Sequence, residues 1–205
     1  APVLAGITSR MSDVAAVLHV YEALIRMSDY DSVKLDQQEA EGISRTEPDD
    51  IRSIYGVFVN RRAVCTGYAK ATQYLLHKLG IECTVVTSAD HAWNLVRLEG
   101  EYYHLDTTWG DNSDTKPEKD YGDEVSYDFF CMSDADLQRL ESHELESVLP
   151  VPACTATACN YYRRFGLYFD QAIPADLRKA VVRHMHRGHL LVVLKFGDVQ
   201  TLMSA

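Results

Sequence analysis

Apolar residues recur at helical spacing between Val14 and Ile25, with Val17, Leu18, Tyr21 and Leu24 in register, behind Ser12, a residue type that caps helix N-termini. The pattern predicts a helix over residues 12–27. A second helix is predicted over 65–79, where Ala69, Leu75, Leu76 and Leu79 share an apolar face and Gly80 follows as a natural C′ residue. Three strand-like runs come next, at 81–87, 91–98 and 101–106. The last two flank Glu99-Gly100, a two-residue hairpin loop with glycine where positive φ is needed. The polar stretch 31–50 reads as a long surface connection carrying one short helix. Residues 110–124 form an acidic loop, and Ser133 with Asp136 opens a short helix on a capping-box-like pattern. Residues 149–165 are irregular, and a helix at 174–186 and a strand at 189–197 close the chain, the apolar run Leu190 to Leu194 reading as buried strand. One helix followed by three strands implies an α+β fold with an antiparallel sheet packed on the 65–79 helix.

With 205 residues, the chain can bury a core of its own as a single domain, with a core at about 12–136 and a C-terminal extension over 137–205. No apolar run is long enough to cross a bilayer as a helix, so membrane insertion is not expected. The formal net charge of −10 argues against nucleic acid and anionic membrane surfaces as partners, since both need a basic face. Five cysteines, Cys65, Cys83, Cys131, Cys154 and Cys159, leave at least one thiol unpaired. There is no C-x-x-C, which weakens zinc-ribbon and dithiol redox readings. Cys154 and Cys159 are near enough in sequence for a local disulfide, subject to loop geometry.

Cys65 stands at the predicted first turn of the 65–79 helix, where free amide N–H groups stabilise a thiolate and can donate to a developing oxyanion. The opposing reading is a buried cysteine acting as a small hydrophobe. His91 opens a strand and supplies an imidazole, the partner that a thiol nucleophile needs as base or as the cation of an ion pair. The hairpin then makes a geometric statement. If Leu98 faces Glu101 across a two-residue loop, Trp93 lies opposite Asp106. His91 shares the face of Trp93, so His91 and Asp106 become diagonal neighbours. A one-residue change of loop length would put them on opposite faces.

These segments, Cys65-Thr66-Gly67-Tyr68-Ala69, His91-Ala92-Trp93-Asn94 and His104-Leu105-Asp106-Thr107-Thr108-Trp109, resemble the three core motifs of the transglutaminase-like superfamily, in its order and at similar spacing. The resemblance is specific from Ser53 to Trp109, extends to Tyr127-Asp128-Phe129-Phe130, and is loose outside. It implies a papain-like core with Cys65 as nucleophile, His91 as general base and acid, and Asp106 as orienting carboxylate. It further implies thiol-dependent acyl transfer on a peptide or protein amide through a thioester, with no cofactor. Hydrolysis is favoured over transamidation, because the chain is short and shows no sign of the extra domains that family cross-linking enzymes carry. The alternative is an inactive module on the same scaffold that binds peptide or glycan beside Cys65.

A second oxyanion donor is open among Tyr30, Tyr55 and Asn60, because the upstream tryptophan that some family members use is missing here. Trp93 and Trp109 read first as packing around the triad, and second as a shield for it or a substrate wall. His104 is a rival base. His184, His186 and His189 have the wrong spacing for one metal-binding helix face. Asp111-Asn112-Ser113-Asp114, with later acids, could hold calcium in an irregular loop, though it lacks the glycine and glutamate of an EF-hand. Tyr161-Tyr162-Arg163-Arg164 reads as a surface pair beside buried aromatics. The chain opens on Ala1-Pro2 with no leader-like segment; with the resemblance to secreted bacterial relatives, this gives an expectation of extracytoplasmic location.

Overall fold

The computed structural model describes residues 2–44, 47–112, 125–140, 147–187 and 192–197. The chain forms two compact units, 1–156 and 157–205, so the first runs on past residue 136, where the sequence reading ended the core.

In the first unit, α1 (Asp13–Ile25) starts on Ser12, whose hydroxyl accepts the Ala15 N–H at 3.3 Å. Its predicted stripe is the buried one: Val14, Val17, Tyr21, Leu24 and Ile25 are all buried. Removing each large apolar side chain from water contributes about 1.5–3 kcal/mol. The polar connection contains α2 (Ser32–Ala40), started by Asp31, which accepts the Lys34 N–H at 3.1 Å. Only Gln38 of α2 is buried. A short parallel pair, β1 (Asp29–Tyr30) with β2 (Arg62–Ala63), and a π-helical turn over Gly56–Asn60 lead into α3.

Helix α3 (Cys65–Lys78) carries the second predicted apolar face, with Tyr68, Ala71, Thr72, Leu75 and Leu76 buried. It packs on α1 and on a three-stranded antiparallel sheet of β3 (Cys83–Thr87), β4 (Ala92–Leu98) and β5 (Glu101–Leu105), in that order. The β4–β5 turn is the predicted one. Leu98 pairs with Glu101, and Glu99 and Gly100 adopt φ of 53° and 90°, the twist a two-residue hairpin demands. One sheet face meets α3, where Asn94 Nδ2 donates to the Ala69 carbonyl at 3.0 Å. On the other, Val86, Trp93 and Leu95 bury Cys154, with Val151 and Tyr102 alongside. Helix α4 (Asp134–Arg139) begins on a reciprocal capping box between Ser133 and Asp136.

Gly67 explains how the start of α3 is held. A Cβ added there would stand 2.6 Å from the Ile51 carbonyl oxygen and 2.8 Å from Ala63 Cβ, so the helix's first turn is pressed against the backbone before it. Gly67→Ala is therefore expected to destabilise the fold by about 1–3 kcal/mol through overpacking, outweighing the ~1 kcal/mol that alanine gains in helix propensity. A urea unfolding midpoint equal to the wild type's would refute this close approach.

The second unit contains α5 (Tyr161–Arg164), capped by Asn160, and α6 (Pro174–Met185). Its parallel strands are β6 (Tyr168–Phe169) and β7 (Lys195–Phe196). Arg163 lies over the Tyr168 ring at 3.7 Å, and Tyr162 is buried. Two expectations are corrected. The closing strand is only Lys195–Phe196 among the described residues, and Val193 is 52% exposed, because apolar content without an alternating face does not make a buried strand; residues 188–191 lie outside the described ones. Cys154 and Cys159 are separate buried thiols rather than a local disulfide.

Candidate active site

Cys65 is the first residue of α3, and its helix start has no side-chain cap. The Gly67 and Tyr68 N–H groups both turn back to the Val64 carbonyl, at 2.8 and 3.2 Å, so no capping side chain competes for the amides of Cys65 and Thr66. His91 directly precedes β4 and Asp106 directly follows β5. The hairpin register brings them together as predicted: His91 Nε2 meets Asp106 Oδ2 at 2.7 Å. The Cys65 thiol is hydrogen-bonded to His91 as well. With Nε2 committed to Asp106, the nitrogen that meets Cys65 is Nδ1.

Asp106 is fully buried and held at both oxygens. Oδ1 accepts the backbone N–H groups of Thr108 (2.9 Å) and Trp109 (3.0 Å), which leaves Oδ2 for the imidazole. The site's charges follow from these contacts. Burial opposes ionisation of the Cys65 thiol, but the His91 hydrogen bond and positive charge, with the Ala92 amide and Thr66, outweigh it and hold the thiol below its ordinary value. Burial also works against the His91 cation. The Asp106 charge and hydrogen bond, reinforced by Cys65, win there and raise the imidazole to about 10. Cys83 and Cys154, buried without a cation beside them, are pushed the other way, to about 12. Both shifts run in the direction that favours a thiolate–imidazolium pair of Cys65 and His91.

A cavity of about 550 Å³ opens beside the pair. Cys65 and His91 stand on its wall with Tyr30, Lys70, Ser88 and Asp90. Of the three oxyanion candidates, only Tyr30 lines this cavity. Tyr55 is 55% exposed just before the π-helical turn, Asn60 Nδ2 donates to Asp50 Oδ2 at 2.9 Å, and neither lines the cavity. That turn ends at Arg61 with φ of 58°, a backbone reversal that no apolar periodicity announces. Trp93 does not line the cavity either. It is 2% exposed and stacks on the imidazole, with ring centroids 5.8 Å apart. Trp109 meets the same ring edge-on at 5.8 Å and is 40% exposed. Lys70 and the buried Arg52, also on the cavity wall, are the residues that sequence reasoning missed. Lys70 reaches back to donate to the Arg52 carbonyl at 3.0 Å, a link with no signal in the linear pattern.

A family model described as a transglutaminase-like domain matches residues 6–110. The chain belongs to the transglutaminase-like family. Its α+β architecture is that of the family's papain-like core, with the Cys-bearing helix packed on an antiparallel sheet. A solved structure described as the crystal structure of a TGase aligns with a TM-score of 0.42 at 16% identity, covering 56% of this chain. The chain spans 31% of the length of that protein. Comparison with curated proteins gives no match.

The transglutaminase-like domain holds a second histidine beside the first. His104 is buried and receives the Trp93 indole N–H on Nδ1 at 3.0 Å. An indole N–H only donates, so Nδ1 carries a lone pair and the ring proton sits on Nε2, which donates to Asp134 Oδ1 at 2.9 Å. With both nitrogens engaged and neither facing Cys65, His104 is no rival to His91 as the base. His104, Asp134 and Cys154 do bring donor atoms within 4.8 Å of one another. In this tautomer His104 Nε2 carries the ring proton, and the Trp93 N–H and Asp134 join the histidine in a hydrogen-bonded chain. His184, from the histidine cluster in the sequence, is buried with Nε2 3.2 Å from the Phe165 carbonyl, and His189 lies outside the described residues. Asp111 accepts the Tyr68 hydroxyl at 2.7 Å, and residues 113 and 114 also lie outside.

Proposed function

We propose that this transglutaminase-like domain is a thiol-dependent acyl-transfer enzyme acting on a peptide or protein amide, with hydrolysis as its main outcome. The observation that carries the reading is the unbroken hydrogen-bonded chain from Cys65 through His91 to a fully buried Asp106. A merely structural cysteine needs no such chain.

In this mechanism the Cys65 thiolate attacks the amide carbonyl carbon. The oxyanion that forms is met by the Cys65 N–H at the start of α3, where the helix dipole also favours negative charge. The His91 Nδ1–H gives its proton to the leaving amine, the C–N bond breaks, and a thioester to Cys65 remains. Water then attacks the thioester while Nδ1 takes its proton, and the thiolate leaves. Asp106 keeps Nε2–H pointed away from the sulfur throughout, so Nδ1 always faces the reacting atoms. These steps need no cofactor. Hydrolysis is supported by the partly exposed Cys65 and by polar walls that admit water, Lys70, Ser88 and Asp90 among them.

The test is a burst experiment with p-nitrophenyl acetate. One equivalent of p-nitrophenol per chain and a thioester mapped to Cys65 by mass spectrometry are expected, with the ratio of free acid to amide in added primary amine reading water against amine as acceptor. An absent burst, or an adduct on another thiol, would favour the inactive binding module. On an amide substrate, whose leaving amine must be protonated, the rate should follow a bell in pH. It rises as Cys65 ionises, below its ordinary value, and falls as His91 loses the proton it must donate, near pH 10. A descending limb near pH 6.5, the ordinary imidazole value, would contradict the raised His91.

A further inference from the structure

Cys65 and Asp106 bond to opposite nitrogens of His91, so the imidazole serves both only while its plane contains both directions. A ring that tilts keeps one partner and loses the other. What holds the plane lies behind the site. The register pairs Leu95 with His104 and Asn94 with Leu105, which sets Trp93 and His104 as diagonal neighbours on one sheet face. Trp93 lies nearly parallel to the imidazole, at 12°. Its own rotation is pinned because the indole N–H is bound to His104. His104 in turn is pinned by Asp134, and Asp134 is fixed to Cys154 twice: its Oδ2 accepts the Cys154 N–H at 3.0 Å, and its own N–H donates to the Cys154 carbonyl at 2.8 Å. Trp93, His104 and Asp134 are not on the wall of the cavity beside Cys65.

We propose that Trp93, His104 and Asp134 are positioning residues that lock the His91 imidazole into the one plane in which it bridges Cys65 and Asp106. The proposal rests on the reading of Cys65, His91 and Asp106 as the reacting chain. Each link has a required polarity: Trp93 donates, His104 accepts on Nδ1 and donates on Nε2, and Asp134 accepts. A glutamine amide reproduces that order, with oxygen toward the indole and N–H toward the carboxylate. A leucine supplies neither group.

The experiment compares wild type, His104→Leu, His104→Gln and Trp93→Phe, the last keeping an aromatic ring under the imidazole without the N–H. Each is measured for the p-nitrophenyl acetate burst rate and for the pH midpoint of iodoacetamide alkylation at Cys65, with circular dichroism melts to report folding. His104→Leu and Trp93→Phe should slow the burst roughly tenfold and move the midpoint upward by about one pH unit, while His104→Gln stays within about threefold of wild type. Folded His104→Leu and Trp93→Phe chains with the wild-type midpoint and rate would overturn the proposal, as would a His104→Gln chain as impaired as His104→Leu. Loss of the folded state in both His104→Leu and Trp93→Phe would assign the chain to structure alone and overturn it too. A wild-type Cys65 that titrates like an ordinary thiol is a different failure: it removes the acyl-transfer reading beneath the proposal.

Discussion

An Asp106→Asn enzyme is expected to acylate Cys65 up to about 10⁴-fold more slowly than wild type, the size of loss seen when the orienting carboxylate of a Ser-His-Asp triad becomes an amide. The geometry gives the reason. Asp106 Oδ1 accepts two backbone N–H groups, so the amide oxygen of the substituted side chain must take that place. Its NH₂ is then forced toward His91 Nε2, where the wild type presents an acceptor. An imidazolium, protonated on both nitrogens, would set N–H against N–H. The ring is held instead as the neutral tautomer with hydrogen on Nδ1, which can neither take the Cys65 proton nor carry the charge that stabilises the thiolate. The measurement is the burst rate, with a melting curve to confirm folding. A loss of only a few-fold would mean that Asp106 is a structural carboxylate.

His91→Ala should lower the alkylation rate of Cys65 at pH 7 by roughly tenfold, the loss of about one pKa unit of cation support. Without its cation the thiol keeps the burial that opposes ionisation and loses the main contacts that outweigh it. Cys83 and Cys154 show how far burial pushes a thiol without a cation beside it, to about 12, with the Asp134 charge adding to burial at Cys154. The space left by the ring admits water, so Cys65 settles between that level and the ordinary value of about 8.5, where at most ~3% is thiolate at pH 7. Quantifying iodoacetamide adducts by mass spectrometry reads this directly, with the other four thiols as internal references. A rate unchanged from wild type would show that His91 does not stabilise the thiolate.

The parts of the site that were legible in the sequence are those governed by short-range rules. A two-residue loop at Glu99-Gly100 fixes register, register fixes which side chains share a face, and His91 and Asp106 follow from counting. Cys65 was readable because a helix start has its own chemical signature. Helix α2 was seen only as one short helix somewhere in a polar stretch, because it buries a single polar residue, Gln38, and shows no apolar stripe. The β1–β2 pair is two residues long, too short for any periodicity to register. Asp134 lies 30 positions from His104, and Lys70 meets the carbonyl of Arg52 across 18, so those links arise only once the chain has folded. The run at 190–194 fails for the opposite reason where it is described, at 192–194: composition suggests a strand while no alternation locates its face.

The most direct test of the central claim is the pH profile of iodoacetamide alkylation at each of the five cysteines in the wild-type protein. The account predicts that Cys65 titrates below the ordinary thiol value of about 8.5 while Cys83 and Cys154 stay unreactive through neutral pH. A Cys65 midpoint at or above about 8.5 would contradict the thiolate–imidazolium pair, and with it the acyl-transfer mechanism.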